Sequence, residues 1–332
     1  MSSVLNSKFL KSLFTRLLTS LLTLFLLVSF LFFLIRLSPG NPTDKYISAK
    51  LGKELSESIS QKFSLNEPVI DQYFSFVTNI FKGELGISYN YRSPVFNVVW
   101  QYFSFTLVFA SISFFIQISL SIWLAVKMIK TRNRWLEKFT NNFSLFVYSI
   151  PAFVLGVTLI YIFSVHFGLF PISGLKSIDN DEMSFFTGLL DKINHIILPL
   201  ITLSAGGVAL FYKYIKESID EVKDQTFVLN LRASGIDENI ILQKHILPNA
   251  IRPLISVAGV ELGIILGGTL ITEVIFSLPG MGRLAIDSIL SRDYPLVIGC
   301  VFTAGAVMIL TNFIADLIKL KIDKRMIKGI LN

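Results

Sequence analysis

Six apolar runs alternate with polar segments along the chain: Leu17–Ile35, Phe103–Val126, Phe143–Val165, Ile196–Tyr212, roughly Pro253–Phe276, and Val297–Ala315. A bilayer core about 30 Å thick takes about 20 apolar residues of helix. Inside lipid every backbone polar group must bond within its own segment, so runs of this length are expected to be helices. The pattern predicts an all-α membrane protein with six transmembrane helices. The fourth run is short, but Lys213 and Lys216 at its end can extend it by snorkelling. The fifth run carries Glu261 and Glu273, and the other five carry no charge.

The first run follows Lys8, Lys11 and Arg16 and spans 19 residues without a charge. A secretory signal has an apolar stretch of only about 7–15 residues. The run ends in Arg36-Leu37-Ser38-Pro39-Gly40 rather than a small-residue cleavage site, so it is expected to be a retained anchor.

The polar segments set the orientation. With the N-terminus inside, the inner segments hold 19 of the 30 Lys and Arg, including those from Lys127 to Lys138, Lys213 to Arg252 and Lys319 to Lys328. The two short outer loops hold two each, Lys176 with Lys192 and Arg283 with Arg292. Basic residues collect on the cytoplasmic side, so both termini are expected there. The chain divides into residues 1–36 (cytoplasmic segment and first span), an extracytoplasmic helical cap at 37–101, and a core at 102–332 with a cytoplasmic loop at 213–252. Within the cap, Leu55–Phe63 and Val69–Phe81 are expected to be helical, with Pro68 as a start signal.

Composition agrees with this reading. The 332 residues are 52% hydrophobic and only 16% charged, where a soluble domain carries about 25% charge. The net charge of +7 comes from bases that flank apolar spans, which points to the membrane surface and not to nucleic acid. The lone Cys300 lies in an apolar run and excludes a disulfide framework or a cysteine metal site.

The loop Asp224–Pro253 is polar yet lacks loop composition. Phe227, Val228 and Leu231 form one apolar face of a short helix. Gly235 falls where a helix C-terminus takes positive φ, Asp237 can cap a second helix, and Ile240, Ile241, Lys244 and His245 repeat at helical spacing. Pro248 and Pro253 mark the start of the next apolar run. A structured, half-apolar helix pair is either a docking element or an amphipathic helix lying on lipid. A face that carries acids as well as bases favours docking.

This loop resembles the cytoplasmic signature loop of ABC-importer permeases: Glu-Ala-Ala, three residues, Gly, nine residues, Ile-x-Leu-Pro. Gly235 and Leu247-Pro248 keep the spacing, and His245 stands at the Ile position. Leu229, Asn230 and Leu231 replace Glu-Ala-Ala. The departure fits the dipeptide/oligopeptide/nickel permease subfamily, whose version is matched by Arg232-Ala233-Ser234-Gly235 and His245-Ile246-Leu247-Pro248-Asn249. Further ordered matches are Ser38-Pro39-Gly40-Asn41-Pro42, Leu65-Asn66-Glu67-Pro68 with Tyr73, Gly83-Glu84-Leu85-Gly86-Ile87-Ser88, Ile150-Pro151-Ala152-Phe153 and Phe170-Pro171-Ile172-Ser173-Gly174. The stretch Glu273 to Leu284, then Arg292-Asp293-Tyr294-Pro295 and Asn312 with Asp316, complete the series.

The resemblance implies the type I importer permease fold in a bacterial cytoplasmic (inner) membrane, with no catalytic site and no cofactor. The implied partners are a second homologous permease, two cytoplasmic ATP-binding subunits, an extracytoplasmic solute-binding protein and membrane lipid. It also implies that Phe227, Leu231 and Arg232 carry docking to the ATPases where the glutamate is lost. Peptides are the expected solute, with nickel or a metal chelate as the alternative.

Within the spans, Gly259, Gly263 and Gly267 repeat every four residues and predict a close helix approach, which is compatible with a translocation path. Glu261 is the deeper acid and a candidate for polarity along that path. Pro151 and Pro199 predict kinks. There is no Gly-x4-Gly-Lys-Ser/Thr phosphate loop, no His-Glu-x-x-His and no Gly-x-Ser-x-Gly. A stand-alone secondary transporter would predict an inverted repeat, and the two halves show no convincing self-similarity.

Overall fold

The computed structural model describes residues 2–37, 67–131 and 133–322. The expected helix Leu55–Phe63, the Ser38–Pro42 and Leu65-Asn66 matches and the basic C-terminal residues from Lys324 onward lie outside them. The described residues are helical apart from their connections and an antiparallel bridge between Ile87 and Pro94. In chain order the helices are α1 (Ser2–Leu37), α2 (Val69–Phe81), α3 (Val95–Thr131), α4 (Arg134–Ser149), α5 (Ala152–Leu159), α6 (Phe185–Lys223), α7 (Thr226–Ala233), α8 (Glu238–Ile240), α9 (Leu247–Ile251), α10 (Leu254–Gly268), α11 (Leu270–Ile275), α12 (Met281–Ser291) and α13 (Tyr294–Ile322). Wider π-type turns extend α5 over Ile160–His166 and join α8 to α9 over Ile241–Ile246.

Among the described residues, five stretches are long and apolar enough to cross a membrane: Phe14–Leu37, Val95–Thr131, Phe185–Lys223, Val257–Ile275 and Tyr294–Ile318. The remaining crossing is a bent pair, Arg134–Ser149 with Ala152–His166, set at 100°. The third apolar run is therefore two helices and not one kinked span. Pro151 has no N–H to give and its ring disfavours a helical residue before it, so Ile150 is extended with ψ 123°. Pro199 has a milder effect, since the 39-residue α6 continues through it. At 1.5 Å per residue that helix is about 58 Å long, well beyond the bilayer core.

Two helix pairs form the frame, α3 along α6 and α10 along α13. A buried polar seam runs between α3 and α6. The Ser113 and Ser204 hydroxyls lie 2.9 Å apart, and Gln117 Nε2 donates to Ser113 Oγ and to the Leu203 carbonyl, each at 3.2 Å. Ser121 Oγ donates to the Val208 carbonyl at 3.1 Å. A Cβ on Gly207 would fall 2.0 Å from Gln117 Oε1, so only glycine admits that amide. Where lipid offers no hydrophobic drive, such bonds and small residues hold helices together. Ser113, Gln117 and Ser121 recur every four residues inside an apolar run, a legible signal that the hydropathy pattern alone passes over.

The outer face is fastened by two buried acids. Glu273 accepts from Thr106 Oγ1 at 2.7 Å and from the Gly282 and Arg283 amides at 2.7 and 3.2 Å, so it caps α12 and ties it to α3 and α11. The Arg283 guanidinium donates instead to the Ser277 carbonyl at 2.7 Å. Asp293 accepts from the Asn90 amide at 2.9 Å and from Ser88 Oγ. This joins the Gly83–Pro94 turn to the start of α13. Phe32, Tyr73 and Phe76 stack α2 on the outer end of α1, with the Ser29 and Tyr73 hydroxyls 2.9 Å apart. Near its inner end, α1 is linked to α13 by Arg16 and Asp316 at 3.1 Å.

Candidate coupling site on the cytoplasmic loop

The loop after α6 is welded to the inner ends of α3 and α6 by one apolar cluster. Met128, Phe211, Tyr212, Ile215, Ile219 and Val222 supply the base, and Val228, Ile241, Leu242, Ile246 and Ala250 pack onto it. Val228, Ile241 and Ala250 have no exposed surface. Ser218 Oγ adds a bond to the Ala250 carbonyl at 2.9 Å. The loop is therefore packed onto the inner ends of both helices beneath it.

The turn between α7 and α8 is fixed locally. Gly235 has φ +75°. Its amide donates to the Arg232 carbonyl at 2.9 Å, and the Ile236 amide reaches the Leu231 carbonyl at 3.2 Å. This is the Schellman pattern, completed by Ile236 and Leu231 packing on the same apolar cluster. Asp237 then accepts from the Asn239 and Ile240 amides at 2.9 and 3.3 Å and starts α8. A Cβ on Gly235 would meet nothing within 4 Å, so glycine is needed there for its φ and not for space.

The expected site residues divide by direction. Phe227 and Leu229 are exposed, at 38% and 52%. Ala233 and Pro248 are also exposed, while His245 is half-buried. Val228 is buried, and Leu231 and Leu247 pack against the apolar base. Arg232 turns back onto its own loop: Nη2 and Nε reach Glu238 Oε1 and Oε2 at 2.7 and 3.1 Å. That carboxylate raises the Arg232 pKa above its ordinary value. The outward surface of α7 thus includes Phe227, Leu229, Asn230 and Ala233, Leu231 packs on the apolar base, and Arg232 is exposed while bonded to its own loop.

Inside the membrane the glycine stripe of α10 meets α13. A Cβ on Gly259 would lie 2.0 Å from Ala315 Cβ, and one on Gly263 would lie 3.1 Å from Thr311 Oγ1. Gly267 lies in the last turn of α10. Glu261 is half-exposed on a different side of the helix from the Gly259 contact. Among the described residues no group of three or more His, Cys, Asp or Glu is placed to hold a metal ion.

An inner-membrane helical frame with a rigid cytoplasmic helix pair is the arrangement of an importer's permease subunit, and comparison with known proteins agrees. Residues 117–328 match the family model of the binding-protein-dependent transport system inner membrane component, and residues 9–110 match that of its N-terminal region. The chain belongs to this family of ABC-transporter permeases, multi-pass proteins of the bacterial inner membrane. The nickel import system permease protein NikB of Staphylococcus aureus is 31% identical over 318 residues, covering 95% of this chain and 91% of that protein. Two inward-facing crystal forms of the MetNI methionine ABC transporter share the fold. One has TM-score 0.53 at 17% identity over 68% of this chain and 96% of that one. The other has 0.51 at 16% over 71% and 97%. As a permease subunit the chain is not itself catalytic, and ATP hydrolysis belongs to a separate subunit.

Proposed function

We propose that this chain forms half of the translocation path of an ATP-driven importer and receives the power stroke through Phe227 and Leu229. The other half of the path is a second homologous permease. Two ATP-binding subunits dock on the cytoplasmic loops, and a solute-binding protein delivers solute from outside. The observation that carries this reading is the pairing of an exposed apolar tip on α7 with an inward face buried on α3 and α6. A push on the tip moves both helices as one body, a rigid-body switch between access states. Leu229 stands where the family's signature loop has glutamate, so the contact here is apolar.

The solute we assign is nickel in an organic chelate, following the 31% identical relative named for nickel import. Short peptides are the second reading, favoured because among the described residues no group of three or more His, Cys, Asp or Glu is placed to hold a bare metal ion. Both present amino and carboxylate groups, so one polar path suits either. In vesicles holding the reconstituted complex, ATP-dependent uptake of labelled nickel with histidine, against a labelled tripeptide, separates them. Docking is tested by Phe227→Ala with Leu229→Ala: the ATP-binding subunits should no longer copurify, while the second permease remains. Full retention of the ATP-binding subunits by this variant rejects the docking surface.

A further inference from the structure

Arg232 joins three consecutive elements. Besides its two bonds to Glu238 at the start of α8, its Nη1 donates to the Lys223 carbonyl, the last residue of α6, at 3.2 Å. Along the chain, Ser234, Gly235, Ile236 and Asp237 connect α7 to α8. The apolar cluster grips one side of the loop. Beside it lies a cleft of about 430 Å³ lined by Lys216, Asp220, Arg232 and Glu238 together with Leu242 and Ile246 of that same cluster. Ion pairs lie along this cleft: Lys216 to Glu137 at 2.6 Å, which links α6 to α4, Lys216 to Asp220 at 2.7 Å within α6, and Arg232 to Glu238, which links α7 to α8.

We propose that Arg232 is a positioning residue, a clip that makes α7, α8 and the end of α6 move as one body when α7 is pushed. The proposal rests on the coupling role given above to the loop. A planar guanidinium can hold a carboxylate with two bonds and a carbonyl with a third, whereas a lysine ammonium is a point charge without that fork. An exposed ion pair adds little to folding stability. Its effect is therefore on stiffness, and the test must read coupling and not melting.

The test uses the full importer, with Cys300→Ala and spin labels on Thr226→Cys and Gln243→Cys, before and after trapping with ATP and vanadate. With Arg232 present the label distance should be one narrow population in both states. Arg232→Gln, Arg232→Lys and Glu238→Gln should broaden it. They should also cut the stimulation of ATP hydrolysis by the solute-binding protein about tenfold, with the ATP-binding subunits still copurifying. The exchanged pair, Arg232→Glu with Glu238→Arg, should recover most of the narrow population. A narrow distance and normal stimulation in Arg232→Gln overturn the clip. Failure of the unmutated chain to copurify with ATP-binding subunits overturns the coupling reading beneath it.

Discussion

Gly280 and Glu273 show how a single absent side chain can carry a structural contact. A Cβ on Gly280 would fall 2.0 Å from the Glu273 carboxyl carbon, and one on Gly282 would fall 2.4 Å from the Leu270 backbone. The two glycines leave room for the carboxylate to reach the amides at the start of α12. Glu273→Ala leaves buried donors unpaired and should cost about 3 kcal/mol. Gly280→Ala should cost nearly as much by displacing the same carboxylate. The double variant should lose less than the sum, since both changes break one contact; thermal unfolding in detergent measures this. Gly235 works differently, through φ alone. Gly235→Asn should keep uptake, Gly235→Ala should cost about 1–2 kcal/mol in the turn, and Gly235→Pro should abolish uptake at normal membrane levels. Proline fixes φ near −65° and removes the amide that bonds Arg232. The need for positive φ at Gly235 was legible in the sequence, because a helix end leaves a local mark. The need for space at Gly280 was not, because the group that fills it lies on another helix.

Among the elements, α10 against α13 sets how closely the inner frame closes. Gly259→Ala should push the two helices apart, costing about 1–3 kcal/mol by overpacking. Ala315→Gly in the same chain should restore most of the loss, because the collision is between those two Cβ atoms. Unfolding midpoints of the single and double variants decide it. The repeat of Gly259, Gly263 and Gly267 announced a close approach, and its partner came only from the fold. The six apolar runs gave the spans for the same reason: lipid demands long apolar helices, and length and polarity are written along the chain. The break at Ile150–Pro151 was legible as a kink, but its 100° angle was not. That angle depends on how α4 and α5 each pack against α6.

The whole molecule has a fastened outer face, bound by Glu273 and Asp293, and an inner face where a rigid loop rides on α3 and α6. With the N-terminus inside, a cysteine at Glu84 should react only with reagents added outside, and one at Lys244 only after the inner face is opened, in a Cys300→Ala background. Labelling of Lys244→Cys from outside would reverse the orientation. Sequence by itself determined the membrane class, the apolar crossings and the helix-turn-helix of the loop after α6, and it set the orientation expected from basic residues, since hydropathy, charge and helix-end chemistry are local. Only the tertiary structure decided which side of that loop faces out. Val228 and Leu231 turn inward because α3 and α6 offer them an apolar base, Arg232 stays exposed but bends to Glu238 within reach, and Phe227 and Leu229 are left exposed. Periodicity names the apolar residues of a short helix, but which of them are buried depends on what the rest of the chain brings against it.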